Sequence, residues 1–435
     1  ELHVQVMKKG METDTIVANT LVDVYVKCNM LPEAIEVFRN IQVRTTVSWN
    51  AIIGGYLEHG HVVDALRCFK QMRYGVVPPD VLTFAFSLKA YGGTTDSATL
   101  VCGLKACSNA GCCAFKVQEL HGIIARKGLE RNHVLNSALV DSYAKYGMII
   151  ETQAVFDKLV FRDVVSWTSL IMAYSKQGNH LKCLECFHQM HGDGVSPDAV
   201  TYVCCAKACG SIGCTAKSQE IHAEIAQNPV LLKDIFIGNT LVDMYAKCGS
   251  LTKAQEVFNN LPVRDVVSWN TLASGYLQQG KGEEALICLR TMQNQGGFPD
   301  AISYMCILKS CGSIVSASEG KETHAEMIKK GLLDKDPLLG NALVYMYAKC
   351  GLLLEAQEMF DRLLTCDVVS WTTLITGYAD HGYGNQAIHC FEQMRVEGIS
   401  PNATAFVSSL KACSILQAIE KGHEIHSEIE ARGLL

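Results

Sequence analysis

Three His-x-Glu triplets, His222-Ala-Glu224, His324-Ala-Glu326 and His426-Ser-Glu428, and one Cys-x-x-Cys, Cys183 to Cys186, are the residues of this 435-residue sequence with the types and spacing for bond-breaking chemistry. In a zinc deaminase a histidine and two cysteines hold the ion, the ion-bound water attacks the ring, and the glutamate carries the proton. The spacing here argues against that. The triplets occupy one place in three successive 36-residue units, and a catalytic site is needed once. The Cys-x-x-Cys lacks the preceding proline, and Cys186 sits where Cys68, Cys288 and Cys390 recur. Nothing else resembles a nucleophile, a phosphate loop or an acid–base pair, so neither catalysis nor a metal or cofactor is expected.

The elements that carry these residues are set by a repeat. All four tryptophans stand in one phrase, at Trp49, Trp167, Trp269 and Trp371, separated by 118, 102 and 102 residues. The first interval exceeds the others by a 16-residue insertion. Between tryptophans the chain cycles through units of 31, 35 and 36 residues, which is the mark of a stacked array and not of separate globular domains. The 31-residue units are 15–45, 133–163, 235–265 and 337–367; the 35-residue units are 46–80, 164–198, 266–300 and 368–402; the 36-residue units are 97–132, 199–234 and 301–336, with a shortened copy at 403–435. Residues 1–14 match the end of a 36-residue unit, so natural ends are expected beyond both termini.

Each unit reads as two helices. Trp49, Ile52, Ile53 and Tyr56 fall on one face of a first helix that stops near Gly60, and Ala65, Phe69 and Met72 form the stripe of a second. Helices this short bury both faces only by stacking on the next pair, so the tryptophans are expected in the core and the fold is an all-α, right-handed superhelical solenoid. Segment 81–96 interrupts the cycle with a second copy of a 36-residue unit's opening. The copy at 97–106 runs unbroken into its unit and is expected to hold the first-helix slot, leaving 81–96, cut by Gly92 and Gly93, extruded on an exposed face.

Composition narrows the class. Apolar residues at 49% and only 9 prolines exclude a disordered chain, and no apolar run reaches the ~18 residues of a membrane span, so a soluble protein is expected. The 20 cysteines recur at helical places, Cys28, Cys248 and Cys350 forming a second set, and read as small buried thiols in a reducing compartment. A net charge of −6 is unlike most nucleic-acid binders.

The phrases GNTLVDMYAKCGSLTKAQEVF (238–258), RDVVSWNTLASGY (264–276) and YMCILKSCGS (304–313), with the 35, 36 and 31 alternation, closely resemble the pentatricopeptide repeat family of plant organelles, specifically its PLS subclass. The resemblance covers all of the chain except the insertion. It implies a solenoid that binds single-stranded RNA at one base per unit, often to direct cytidine-to-uridine editing or other RNA processing in mitochondria or chloroplasts. In that family the fifth and last residues of a unit read the base. Those positions here are Asn50 with Asp80, Ser137 with Asp163, Thr168 with Asp198, Asn239 with Asp265, Asn270 with Asp300, Asn341 with Asp367 and Thr372 with Asn402; Asn19 with Thr45 departs from the pattern.

The physics of this alphabet is simple. Uracil and guanine offer an imino N–H that an acceptor-only Asp satisfies, whereas adenine and cytosine offer an acceptor suited to an Asn amide. Ser or Thr at the fifth position leaves room for a purine, and the longer Asn reaches a pyrimidine. Val101, Val203, Met305 and Val407 hold the fifth position of the 36-residue units and serve as spacers. With parallel polarity, the units from 46 onward spell 5′-U-n-G-G-n-U-U-n-U-A-n-3′. An end-of-unit Asp is also a helix cap, and both roles are compatible.

The resemblance also assigns a base sandwich to the second position, Val47, Val134, Val165, Phe236, Val267, Leu338 and Val369, where packing between units is the alternative. It assigns phosphate contact to Lys27, Lys145, Lys247 and Lys349, where a solvated lysine is the alternative. Glu58, Lys176, Gln278 and Asp380 interrupt that stripe, so backbone affinity should be modest. The competing function is a protein-binding solenoid of the tetratricopeptide kind, favoured by the acidic balance and opposed by the varied unit lengths and paired polar positions.

Overall fold

The structure, a computed structural model, describes residues 14–74, 77, 80, 83, 86, 97–109, 114–333 and 337–433. All regular structure among them is α-helical, in two compact units, residues 1–208 and 209–435. The first holds α1 (Thr15–Lys27), α2 (Leu31–Asn40), α3 (Thr46–Glu58), α4 (Val62–Tyr74), α5 (Ser97–Asn109), α6 (Ala114–Arg126), α7 (His133–Lys145), α8 (Ile149–Asp157), α9 (Val164–Lys176) and α10 (His180–Gly192). The division falls inside α11 (Ala199–Ile212). The second holds α12 (Thr215–Ala226), α13 (Pro229–Leu232), α14 (Ile235–Lys247), α15 (Leu251–Asn259), α16 (Val266–Gln278), α17 (Gly282–Asn294) and α18 (Ala301–Ser313). It continues through α19 (Ala317–Lys329), α20 (Pro337–Lys349), α21 (Leu353–Asp361), α22 (Val368–Asp380), α23 (Gly384–Val396), α24 (Ala403–Leu416) and α25 (Ile419–Ala431).

The helices pair as the periodicity requires. In the first unit α1 packs on α2 and on α3, and α7 on α8 and α9; in the second, α14 packs on α15 and α16, and α20 on α21 and α22. Hairpins turn at a left-handed residue such as Gly280 (φ 72°), a place taken in the opening repeat by Asn29 (φ 62°). First helices approach closely. A Cβ on Gly275 would lie 2.5 Å from that of Ala246, so glycine lets α16 settle onto α14.

The tryptophans are core residues, as expected. Each meets the phenylalanine of the preceding repeat edge to face: Trp49 with Phe38, Trp167 with Phe156, Trp269 with Phe258 and Trp371 with Phe360, centroids 5.0, 4.6, 4.7 and 4.6 Å apart. A guanidinium lies over three of these phenylalanines, from Arg44, Arg162 and Arg264. Arg264 also donates from Nε to the Phe258 carbonyl (3.2 Å) and from Nη2 to that of Asn259 (2.7 Å), closing the open end of α15. The fourth copy has Cys366 in this place. Cys366→Arg is therefore expected to raise stability by about 1 kcal/mol through restored cation–π and carbonyl contacts. A urea denaturation midpoint no higher than wild type would refute this.

The interruption is used differently from the expectation. Thr83, in the first copy, is fully buried, bonds to Asn50 and Asp80, and is helical; Phe86 lies within 3.1 Å of where a Cβ on Gly54 would sit. The second copy, α5, packs on α6 and α7. Thr83 and Phe86 of the earlier copy thus meet α3 while the later copy packs on α7, and Asp80 accepts from the Thr83 N–H as a helix cap does. The remaining residues of 81–96 lie outside the described residues.

The cysteines also divide. Cys186, Cys288 and Cys390 are buried and Cys68 half-buried, and burial pushes the thiols of Cys68, Cys186, Cys288 and Cys390 up to about 11, 12, 12 and 12. Cys28 is exposed and Cys248 and Cys350 half-buried, correcting the expectation for that set. They end first helices beside the left-handed turn, at a rim open to solvent, and Cys248 points Sγ at the Cys209 carbonyl (3.6 Å). All cysteines among the described residues are free thiols.

Candidate nucleic-acid interface

The last residue of a unit begins the next helix. Asp163, Asp265, Asp300, Asp367 and Asn402 are N-caps with extended backbone, each accepting through Oδ1 from the N–H three residues on. The same oxygen faces the fifth residue of its own unit. Asn50 Nδ2 donates to Asp80 Oδ1 and Asn270 Nδ2 to Asp300 Oδ1, both at 2.9 Å. Thr168 Oγ1 reaches Asp198 Oδ1 at 3.4 Å, Ser137 Oγ reaches Asp163 at 3.5 Å, and Thr372 Oγ1 reaches Asn402 Oδ1 at 3.3 Å. Asn239 bonds to Asp265. Asn341 reaches Asp367 through the shared hydroxyl of Ser370. Asn19 and Thr45 are not joined among the described residues: Asn19 Oδ1 is buried with no donor to it, and Thr45 turns to Ser48.

Burial separates the roles of the two positions. Asn50, Ser137, Thr168, Asn239, Asn270 and Thr372 are buried, 5–8% exposed, whereas Asp80, Asp198, Asp265, Asp300, Asp367 and Asn402 are exposed. The last residue presents the open edge. The fifth lies beneath it, buried. Asp300 Oδ1 accepts from Asn270, from the Ser303 N–H (2.8 Å) and from the Ser303 hydroxyl (2.9 Å), and among the described residues Oδ2 is left to face solvent.

These contacts shape the acid response. For Asp265 and Asp300, burial pushes the carboxyl up, but the backbone N–H and hydroxyl of the following serine and the fifth-position amide outweigh it, and both lie below the ordinary value. At Asp367 the Ser370 N–H is the largest influence and the direction is the same. A depressed folded-state value means that the stabilisation is complete above the unfolded value and is lost as pH falls through the folded one. Unfolding midpoints should hold from neutrality to about pH 4 and then fall. Asp265→Asn and Asp300→Asn together should make that acid limb shallower; equal limbs would count against this account.

The second-position side chains are exposed. Val47, Val134, Val165, Phe236, Val267, Leu338 and Val369 are 54–63% accessible, so each keeps more than half of its surface open. The lysines are engaged: Lys27 with Asp23 (2.6 Å), Lys145 with Asp141 (2.9 Å), Lys247 with Asp243 (2.7 Å) and Lys349 with Asp380 (3.0 Å). Exposed pairs of this kind exchange partners readily, yet a phosphate must compete with each carboxylate. One groove gathers all four classes. Lys349, Val369, Thr372 and Asn402 line a cavity of about 230 Å³, with Tyr345 and Thr376 at its sides.

Two of the three His-x-Glu histidines, His222 and His324, have packing roles, and His426 is exposed. His222 Nδ1 meets the Tyr245 hydroxyl at 3.0 Å and His324 Nδ1 that of Tyr347 at 2.7 Å; His121, without the glutamate, meets Tyr143 at 2.9 Å in the same way. Burial lowers His121, His222 and His324. Sequence reasoning missed another set. A Ser or Thr stands three residues after every last residue named above except Asn402, where Ala405 stands, and the hydroxyls of Thr83, Thr201, Ser303 and Ser370 reach both paired positions. The recurrent serine of the tryptophan phrase was the available signal.

An all-helical array of hairpins, with paired polar residues at each junction, is a repeat architecture. Residues 44–92, 162–211, 264–313 and 367–414 match the PPR repeat family, and 16–44, 239–266 and 341–368 match the PPR repeat. The chain belongs to the pentatricopeptide repeat family. It is 31% identical over 97% of its length to a chloroplastic pentatricopeptide repeat-containing protein of Arabidopsis thaliana, half (50%) of which is covered. It is 31% identical over 98% of its length to a mitochondrial one from the same plant, of which 47% is covered. The chain thus spans about half the length of these relatives. The crystal structure of maize PPR10 shares the fold, with TM-score 0.60 and 18% identity over 98% of this chain and 65% of that one.

Proposed function

We propose that this chain binds single-stranded RNA sequence-specifically, one base per 31- or 35-residue unit, and directs processing or C-to-U editing of an organellar transcript without performing the chemistry. The observation that carries the reading is the groove of Lys349, Val369, Thr372 and Asn402, which sets a cation, an apolar face and two hydrogen-bonding groups around one recess. A nucleotide needs those three things: a partner for phosphate, a surface for its ring and a donor or acceptor for its edge. At the Asn–Asp units the open carboxylate oxygen suits the imino N–H of uracil. Behind the smaller Ser137 and Thr168 the recess suits guanine. Asn402 offers adenine a donor.

The target is 5′-U-n-G-G-n-U-U-n-U-A-n-3′, and the PLS alternation places the non-reading 36-residue units at each n. Mitochondrion or chloroplast is the expected compartment, in line with the organellar relatives. Gel-shift titration of this RNA against a scrambled strand, at two salt concentrations, tests the reading. Selective binding with a shallow salt slope is expected, because each lysine is already paired. Equal affinity for both strands, or none, would favour a protein-binding solenoid instead.

A further inference from the structure

In three units the hydroxyl three residues into the next repeat meets the oxygen of the fifth-position amide. Ser303 Oγ accepts from the Asp300 backbone N–H (3.3 Å), Thr83 Oγ1 from that of Asp80 (3.1 Å) and Ser370 Oγ from that of Asp367 (3.2 Å). With acceptor capacity engaged there, the single hydroxyl proton is directed at oxygen atoms. It is shared between the cap carboxylate and the asparagine carbonyl: Thr83 to Asn50 Oδ1 at 2.6 Å, Ser303 to Asn270 Oδ1 at 2.8 Å, Ser370 to Asn341 Oδ1 at 2.8 Å. The amide nitrogen of Asn50 or Asn270 must then face the carboxylate, at 2.9 Å. A reversed amide would set its carbonyl against the carboxylate oxygen. Ser303, Thr83 and Ser370 are completely buried, so water does not substitute for the hydroxyl.

We propose that Ser303, with Thr83 and Ser370 in equivalent places, is a positioning residue for base selection: by holding the carbonyl of Asn270 inward it keeps one amide proton on Asp300 and leaves the other for a base carbonyl. The unit then shows a donor from Asn270 beside an acceptor from Asp300, the complement of a uracil edge. Without the hydroxyl the amide can present either end, and discrimination against cytosine falls. The third residue thus acts through the fifth. The inference rests on the base reading proposed above.

The test uses the whole chain and four RNAs that differ only in the base opposite the unit 266–300, bound to wild type, Ser303→Ala and Ser303→Thr after melting curves confirm folding. Expected is a uracil-to-cytosine affinity ratio that drops about three- to tenfold in Ser303→Ala, the range of one hydrogen bond, and returns in Ser303→Thr. An unchanged ratio overturns the proposal, and so does uniform weakening toward all four bases, which is what a purely structural role produces. Absence of any base preference in wild type would sink the underlying reading first, and is seen before the variants are compared. Should Ser303→Ala not fold, Ser370→Ala puts the same question to Asn341.

Discussion

Thr168→Asn is expected to move base preference at one position of the bound RNA from guanine toward uracil. Thr168 is buried, its hydroxyl 2.7 Å from that of Thr201 and 3.4 Å from Asp198 Oδ1. Asn270 shows what the longer side chain does against the same kind of cap: it closes to 2.9 Å on Asp300 and also accepts from Ser303. Asparagine at 168 would occupy the space that a purine needs and add an amide donor, while Asp198 would keep its preference for an imino N–H. The guanine-to-uracil affinity ratio should shift about tenfold or more, since a gained hydrogen bond and a lost steric fit act together. A base-substitution binding series in which the ratio stays put removes Thr168 from the reading set.

Why these pairs were legible, and other features were not, follows from what a period contains. Asn270 and Asp300 lie 30 residues apart, and only the unit boundary tells a reader that the end of one repeat meets the first helix of the same repeat; the tryptophan spacing supplied that boundary. The hydroxyls of Thr83, Ser303 and Ser370 share the periodicity, but a serine early in a helix is also an ordinary N-terminal residue. Its second link, to an asparagine 33 or 29 positions back, exists only in three dimensions. Exposure was equally hidden. Val267 and Asn270 sit three positions apart in one helix, yet one is open and the other buried, because the neighbouring hairpins cover one side. The interruption misled for a related reason: one slot per repeat is a rule of the period, and Thr83 packs because Asp80 caps whatever follows it. The lysines were visible as a stripe, but their neutralisation by Asp23, Asp141 and Asp243 depends on a side-chain pairing four residues back.

Trp167→Ala should produce the largest loss of stability of any single change considered, about 3–5 kcal/mol. The indole is 1% exposed, edge-on to Phe156 at 4.6 Å and under the Arg162 guanidinium. Its Nε1 is buried with no hydrogen-bond partner, so the mutation sacrifices no hydrogen bond at that atom and the whole cost is apolar burial, aromatic contact and the cavity left behind. In a stacked array each repeat is held by its neighbours, so the loss should be felt first across α8, α9 and α10 and only then elsewhere. Trp167→Phe, which keeps an aromatic ring in the site, should cost clearly less. Hydrogen exchange under native conditions separates this from a global effect: amides of α9 should lose protection while those of α22, which buries the equivalent Trp371, keep theirs. Uniform loss of protection through both helices, or a denaturation midpoint within error of wild type, would show that the tryptophan does not hold its junction as described.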